Sequence, residues 1–119
     1  MGPLETSVDE LRRALVADQA APDWRWHLRR SLSEVKDALA SPGVRQGEAW
    51  LAAREGCSQR RGRQLEARVS ALANGVLERP DTENVAAQAG RLLVDLEHHV
   101  QRLHDLAYDS VSLELGGSE

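Results

Sequence analysis

The sequence has few aromatic residues and lacks two residue types that β-strands commonly use. Its 119 residues include three Trp, one Tyr and no Phe, and isoleucine is absent as well. Strands favour β-branched and aromatic side chains, whereas the Leu, Val and Ala that remain for the core are compatible with helices. These absences favour an all-α fold.

Cysteine and long apolar runs are also scarce. Cys57 is the only cysteine, so no internal disulfide can form and a reducing cytoplasm is the expected location. No apolar run approaches the roughly 18 residues of a membrane span, and the first residues lack the layout of a signal peptide. The formal net charge of −4 argues against a dedicated nucleic-acid binder. We therefore expect a cytoplasmic protein that binds neither membranes nor nucleic acids.

The first part of the chain predicts two helical segments. Ser7 and Glu10 match a capping box, and apolar residues recur there at spacings of three and four: Leu4, Val8, Leu11 and Leu15. Pro22 interrupts this segment, and Asp23 can cap the next one. The apolar positions of that segment again follow helical spacing: Trp24, Leu28, Leu32, Val35 and Leu39. Ser41-Pro42-Gly43 ends it.

The rest of the chain predicts two further helices. A seven-residue apolar repeat supports one long helix over 44–78, while Gly56 in its polar centre predicts a kink or break. A turn precedes the last helix, over 82–113, and offers two capping residues: Asp81 and Thr82. Residues 114–119 are expected to form a loose tail.

These segments combine into three arms of similar length: 7–40, 44–78 and 82–113. Short turns between long helices make the arms antiparallel neighbours. The prediction is an all-α antiparallel helical bundle, with the first arm broken at Pro22 and three to four helices in a single domain over 1–119. The sequence leaves open whether residues 7–19 continue the first arm or fold back as a fourth helix.

Histidines are the first candidates for chemistry. His99 lies on the apolar seam of the last helix and is expected in the core, and His27 is the second candidate for a polar core residue. His99 and His104 lie about 140° apart around a helix, so they cannot bind one ion together. The competing hypothesis is a metal site that combines two histidines with carboxylates: His27, His99, Glu34 and Asp95.

Other side chains are candidates for partner binding or catalysis. Trp26 lies about 200° around its helix from the nearest other tryptophan, and an exposed tryptophan is a common interface anchor. Arg60, Arg61 and Arg63 form the one concentrated basic patch, which either faces solvent or docks an acidic partner. No histidine is near Cys57 in the sequence, so a spectator thiol is favoured over a nucleophile.

The end of the chain carries several short motifs: His-Val-Gln-Arg at 99–102, Asp-Leu at 105–106, Tyr-Asp at 108–109 and Leu-Glu-Leu-Gly-Gly at 113–117. Together they resemble the closing helix of small actinobacterial hemerythrin-like proteins. Residues 24–39, which begin with Trp-Arg and precede a Pro-Gly turn, are similar to an earlier helix of that family. The resemblance covers residues 24–117 and implies a helical bundle.

Hemerythrin-like bundles use histidines and carboxylates to hold a di-iron centre. At the matching positions this sequence has His99 and His27, whereas residues 38–40 and Arg68 stand where the family has histidines. The resemblance therefore implies a bundle without the di-iron centre and without another cofactor. We expect a non-catalytic interaction or regulatory protein whose partner is another protein or a second copy. The alternatives are an iron- or zinc-binding protein that uses the histidines and an enzyme that uses Cys57.

Overall fold

The structure, a computed structural model, describes residues 2–41, 44 and 58–117. These residues form four helices and no strand: α1 (Pro3–Val16), α2 (Trp24–Leu39), α3 (Ser58–Gly75) and α4 (Thr82–Gly117). The prediction of an all-α bundle is confirmed. The molecule is elongated, at 59 × 22 × 21 Å, because the 36 residues of α4 span about 54 Å at 1.5 Å per residue.

Residues 7–19 fold back instead of extending the second segment. α1 ends at Val16, residues 17–23 turn the chain, and α2 packs against α1 in the opposite direction. The indole Nε1 of Trp24, at the start of α2, donates a 2.9 Å hydrogen bond to the carbonyl of Ala14, near the end of α1. The sequence leaves open whether these residues continue the first arm or fold back as a fourth helix, and in the structure they fold back.

The other neighbouring helices are antiparallel as well. α3 packs against α2 and α4, and α1 packs against α2 and α4. Side-chain hydrogen bonds show the directions, because a later residue of one helix bonds to an earlier residue of its neighbour. The pairs are Arg68–Asp95 and Arg79–Gln88 near the α3–α4 junction, and Glu5–His104 and Arg12–Glu97 between α1 and α4. The four described helices therefore close into an up-and-down bundle.

One aliphatic cluster fills the centre of the bundle. It takes side chains from every described helix, largely at the positions where the apolar seams predict them: Leu4, Val8, Leu11, Trp24, Leu28, Leu32, Val35, Leu39, Leu65, Val69, Leu72, Val76, Val85, Ala89, Leu92 and Leu96. Burying one such Leu or Val side chain contributes about 1.5–3 kcal/mol to folding. The seams drive the assembly of the bundle.

The capping box at Ser7 is wrong. α1 already begins at Pro3, with Gly2 as its N-cap residue, so Ser7 lies inside the helix. There its hydroxyl donates a 2.9 Å hydrogen bond to the carbonyl of Leu4. Proline is favoured at the first helical position, because its φ is already helical and its missing N–H is not needed there.

The last helix has the predicted start and a later end. Asp81 caps α4, since its Oδ1 accepts a 3.2 Å hydrogen bond from the backbone N–H of Asn84. Residues 114–117, predicted as part of a loose tail, have helical backbone, and α4 ends at Gly117. No helix in the described ranges is long and apolar enough to cross a membrane. Two predictions lie outside the described residues: the kink at Gly56 and the thiol of Cys57.

Candidate functional site

Trp26 lies on the outer face of α2 and is 59% exposed. Trp24, two positions earlier, is buried at 2% exposure, because two residues turn the helix by about 200°. The guanidinium carbon of Arg29 lies 5.8 Å from the centroid of the Trp26 ring, which is a cation–π geometry. α2 thus presents a large aromatic ring to solvent with a cation stacked on it.

Further polar and basic side chains surround this ring. Arg29, Arg30 and Ser33 are exposed, and their spacing from Trp26 places them on its side of the helix. We call these four residues the Trp26 face. Arg30 is paired loosely with Glu34, at 3.5 Å between Nε and Oε1. The face combines Trp and Arg, two residue types that dominate binding energy in protein interfaces.

The three arginines of the basic patch do not form one surface. Arg60 and Arg63 are exposed, whereas Arg61 is partly buried and lines a groove toward α4. Residues 60 and 63 lie about 60° apart around the helix, and residue 61 lies 100° or more from both. The helical rotation therefore separates Arg61 from its two neighbours.

A groove of about 730 Å³ runs between α3 and α4. We call it the α3–α4 groove. Among the described residues, six polar side chains line it: Arg61, Gln64, Arg68, Asp95, His98 and Arg102. The described part of this lining contains three arginines and one carboxylate, Asp95, which accepts a hydrogen bond from Arg68.

Trp26 and Arg61 belong to separate surfaces. The start of α2 lies beside the end of α3, where Nη1 of Arg25 donates a 3.1 Å hydrogen bond to the carbonyl of Val76. Arg61 precedes Val76 in the sequence by a distance that corresponds to about 22 Å along a helix. The candidate partner-binding residues thus divide between two places on the bundle.

The histidine predictions have different outcomes. His99 is buried, at 1% exposure, as its place on the apolar seam predicts. His27 is exposed, so its assignment to the core is wrong. It lies about 100° from the middle of the apolar stripe of α2, where Trp24 and Leu28 fill the core positions. Its Nε2 lies 2.9 Å from Oδ2 of Asp23, one turn earlier.

The side chains of the alternative metal site lie in different surroundings. His27 is at the surface beside Asp23, and His99 is in the core. Asp95 accepts a 2.7 Å hydrogen bond from Arg68. In the part of the chain that the structure describes, no three His, Cys, Asp or Glu side chains lie close enough together to hold a metal ion.

Arg25 holds the turn between α3 and α4, a role that the local sequence pattern does not predict. Its guanidinium donates hydrogen bonds to four oxygens: the carbonyls of Val76 (3.1 Å), Arg79 and Pro80 (3.3 Å), and Oγ1 of Thr82 (2.7 Å). These carbonyls follow the end of α3, where the helix dipole favours a cation. The one signal in the sequence is a long basic side chain next to the buried Trp24, and it does not reveal which turn lies opposite.

A pair of carboxyl groups joins α1 and α2. The hydrogen bond between Glu34 and Glu10 is the main cause that raises the pKa of Glu34 above its ordinary value of 4.5, with burial and charge repulsion adding to it. The nearby guanidinium of Arg30 opposes the shift. Repulsion from a neighbouring carboxylate disfavours the charged form of Glu34, which is the direction of this shift.

We expect Glu34→Gln to weaken the pH dependence of stability. A group whose pKa is raised in the folded state contributes stability that is complete below the unfolded value and is lost as the pH rises through the folded value. The wild type should therefore gain stability, relative to Glu34→Gln, as the pH falls from 7 toward 4.5. Urea unfolding of both proteins across this range measures the difference, in which other titrating groups cancel. Asp37→Asn, an exposed change on the same helix, is the control, and a pH-independent difference for Glu34→Gln would contradict the expectation.

Comparison with known protein families, curated proteins and solved structures found no match to this chain. The functional proposal therefore depends on the surfaces of the chain itself.

Proposed function

We propose that the protein is a non-catalytic interaction module that binds another protein through the Trp26 face. The observation that supports the proposal is the 59% exposed indole of Trp26 with Arg29 stacked on it. Aromatic residues bury about 150–250 Å² each, so covering the exposed part of this ring is worth roughly 2–4 kcal/mol at 25 cal/mol per Å². A buried Trp with a polar rim is a common arrangement at the centre of an interface.

The proposal includes a cytoplasmic location and kinship with hemerythrin-like bundles that have lost the di-iron centre. The single cysteine supports the location, because a reducing compartment keeps a lone thiol free of disulfides. The motifs at 99–117 and the antiparallel helices support the kinship. His99 then fills a core position where an ancestor held a metal ligand.

The test places a photo-crosslinking amino acid at Ser33, beside Trp26 on the same face. We expect cross-linking in cells to a defined partner protein, whose affinity for the purified protein then falls about tenfold or more for Trp26→Ala, equivalent to about 1.4 kcal/mol. Tyr108→Ala, which removes another exposed aromatic ring (73%) from a different helix, is the matched control and should change affinity little. Equal losses in the two variants, or cross-links to the protein's own chain alone, would contradict binding of another protein through this face.

A further inference from the structure

Two cations follow one edge of α2 beside the Trp26 ring. Arg29 and Lys36 are both exposed. They are seven residues apart in the sequence, so they lie on the same side of the helix, about 10 Å from each other along its axis. The guanidinium of Arg29 also lies against the ring of Trp26, with 5.8 Å to its centroid. We call Arg29 and Lys36 the basic edge of α2.

The basic edge is not neutralised by a carboxylate of its own helix. Neither Arg29 nor Lys36 forms an ion pair with a residue in the described ranges. The carboxylates of α2 lie at least 80° around the helix from both cations: Asp23, Glu34 and Asp37. The ring of Trp26 is neutral, so the stacked guanidinium keeps its full charge. This edge therefore attracts negative charge from outside the chain.

The opposite edge of α2 is engaged within the chain. Asp23 lies 2.9 Å from the ring nitrogen of His27. Glu34 lies 3.5 Å from Arg30 and shares a hydrogen bond with Glu10 of α1. A charged group that approaches the Trp26 face thus gains more from the basic edge than from the acidic one.

The spacing of the two cations favours a helical ligand. Two carboxylates that are seven residues apart on a helix also lie on one side of it, about 10 Å from each other. In an extended segment three residues span about this distance, and side chains three positions apart point to opposite faces. A helix that lies along α2 can therefore place its carboxylates on Arg29 and Lys36 and an apolar side chain on Trp26.

We propose that the partner of the Trp26 face is an amphipathic helix with two carboxylates seven residues apart beside an apolar side chain. This inference rests on the proposed function and names the chemistry of the partner. Arg29 and Lys36 bind the carboxylates through charge-assisted hydrogen bonds, and Trp26 packs against the apolar side chain. Exposed charge pairs contribute modestly to affinity and more to specificity. The basic edge selects the partner, and the ring supplies most of the contact.

The probe is an alanine-based helical peptide, labelled with fluorescein, that contains one leucine and two glutamates seven residues apart. The reference peptide has the same composition with its glutamates five residues apart, which places them about 140° from each other around the helix. We expect the protein to bind the first peptide about threefold or more tightly in fluorescence anisotropy, because only this peptide reaches both cations at once. Added salt should reduce the difference.

A double variant tests the basic edge directly. Arg29→Gln combined with Lys36→Gln should weaken binding of the first peptide about fivefold or more and remove the preference for its spacing. The matched control is Arg60→Gln combined with Arg63→Gln, which removes the same charge from exposed positions on α3. The control should change the affinity about twofold or less, because it leaves the contacting charges in place.

A charge exchange separates recognition of the carboxylates from loss of the stack between Arg29 and Trp26. Arg29→Glu combined with Lys36→Glu should prefer a peptide in which lysines replace the two glutamates, whereas the wild type should prefer the glutamate peptide. A variant that had only lost the stack would bind both peptides weakly. Circular dichroism of each variant confirms that the bundle is folded.

Several outcomes would overturn the proposal. Equal affinity for the two glutamate spacings would remove the helical match, and equal weakening by both double variants would mean attraction to net charge alone. No binding of the glutamate peptide at about 1 mM would exclude this ligand. Binding to phosphatidylserine vesicles that the basic-edge variant loses would indicate a membrane surface, and self-association lost in that variant would indicate a second copy.

Failure of this inference is distinguishable from failure of the proposed function. A partner that cross-links at Ser33 and depends on Trp26, but binds the basic-edge variant as tightly as the wild type, would leave the proposed function standing and remove the acidic helix. If the glutamate peptide binds as expected while Ser33 cross-links to no other protein, the recognition of an acidic helix stands and the proposed cellular role fails.

Discussion

Replacing Arg25 with alanine is expected to lower the free energy of unfolding by about 2–4 kcal/mol. The substitution removes hydrogen bonds from a cation to four oxygens in the turn that joins α3 to α4. Bonds to charged groups are worth about 1.5–3 kcal/mol each when measured singly, but bonds made by one group are not additive. The expected loss is therefore that of a network and not the sum of its members.

Circular dichroism during urea unfolding measures the loss. Arg29→Ala is the matched control, because it removes the same side chain one helical turn later, from an exposed position beside the Trp26 ring. Arg25→Lys should give an intermediate loss, since an ammonium group keeps the charge near the end of α3 but cannot reproduce the planar fork of donors. Equal losses for Arg25→Ala and Arg29→Ala would show that the turn does not depend on the guanidinium.

The sequence predicted the core of the bundle well, because burial follows directly from apolar periodicity. His99 is the clearest example. It is a polar residue, yet its place on the seam of the last helix predicts that it is buried, and it is 1% exposed. The different burial of Trp24 and Trp26 likewise follows from the helical rotation of 100° per residue, which leaves one ring buried and the other exposed. The burial of these side chains depends on their angular position around the helix, which follows directly from the sequence.

The sequence did not predict features that depend on which helices meet. Arg25 bonds to groups more than fifty positions later in the chain, and no local pattern encodes that pairing. The fold-back of residues 7–19 depends on the conformation of the turn at 17–23, and Pro22 by itself permits either outcome. Proximity in the sequence groups Arg61 with Arg60 and Arg63. Only the position of α4 shows that it lines a groove while the others face solvent.

The prediction that His27 lies in the core is wrong for a similar reason, since its burial depends on the neighbouring helix. It stands one position before Leu28, and its helical angle puts it at the border of the apolar stripe, where small differences in packing decide burial. Trp24 and Leu28 are buried, whereas His27 lies beside Asp23 at the surface, at the edge of a cleft between α1 and α2. Border positions need the neighbouring helix before their burial can be assigned.

Replacing Trp24 with alanine is expected to cost about 3–5 kcal/mol of unfolding free energy, the range for large aromatic residues in a core. The side chain is 2% exposed and packs where α2 begins against the end of α1. Its removal leaves a cavity and also leaves the Ala14 carbonyl without the 2.9 Å hydrogen bond from Nε1. A small domain has a total stability of only about 5–15 kcal/mol, so this variant should lose a large part of it.

Trp24→Phe separates packing from the hydrogen bond. Phenylalanine keeps most of the apolar contact but cannot donate a hydrogen bond to the carbonyl of Ala14. We therefore expect the free energy of unfolding to fall by about 1–2 kcal/mol, partly because this carbonyl loses its hydrogen bond. Trp26→Ala is the matched control, because it deletes the same ring two residues later from a position that is 59% exposed; its cost should stay within about 0.5 kcal/mol. Urea unfolding followed by circular dichroism gives all three values on one scale. If Trp26→Ala cost as much as Trp24→Ala, the ring of Trp26 would be structural, and the face proposed to bind a partner would instead be part of the core.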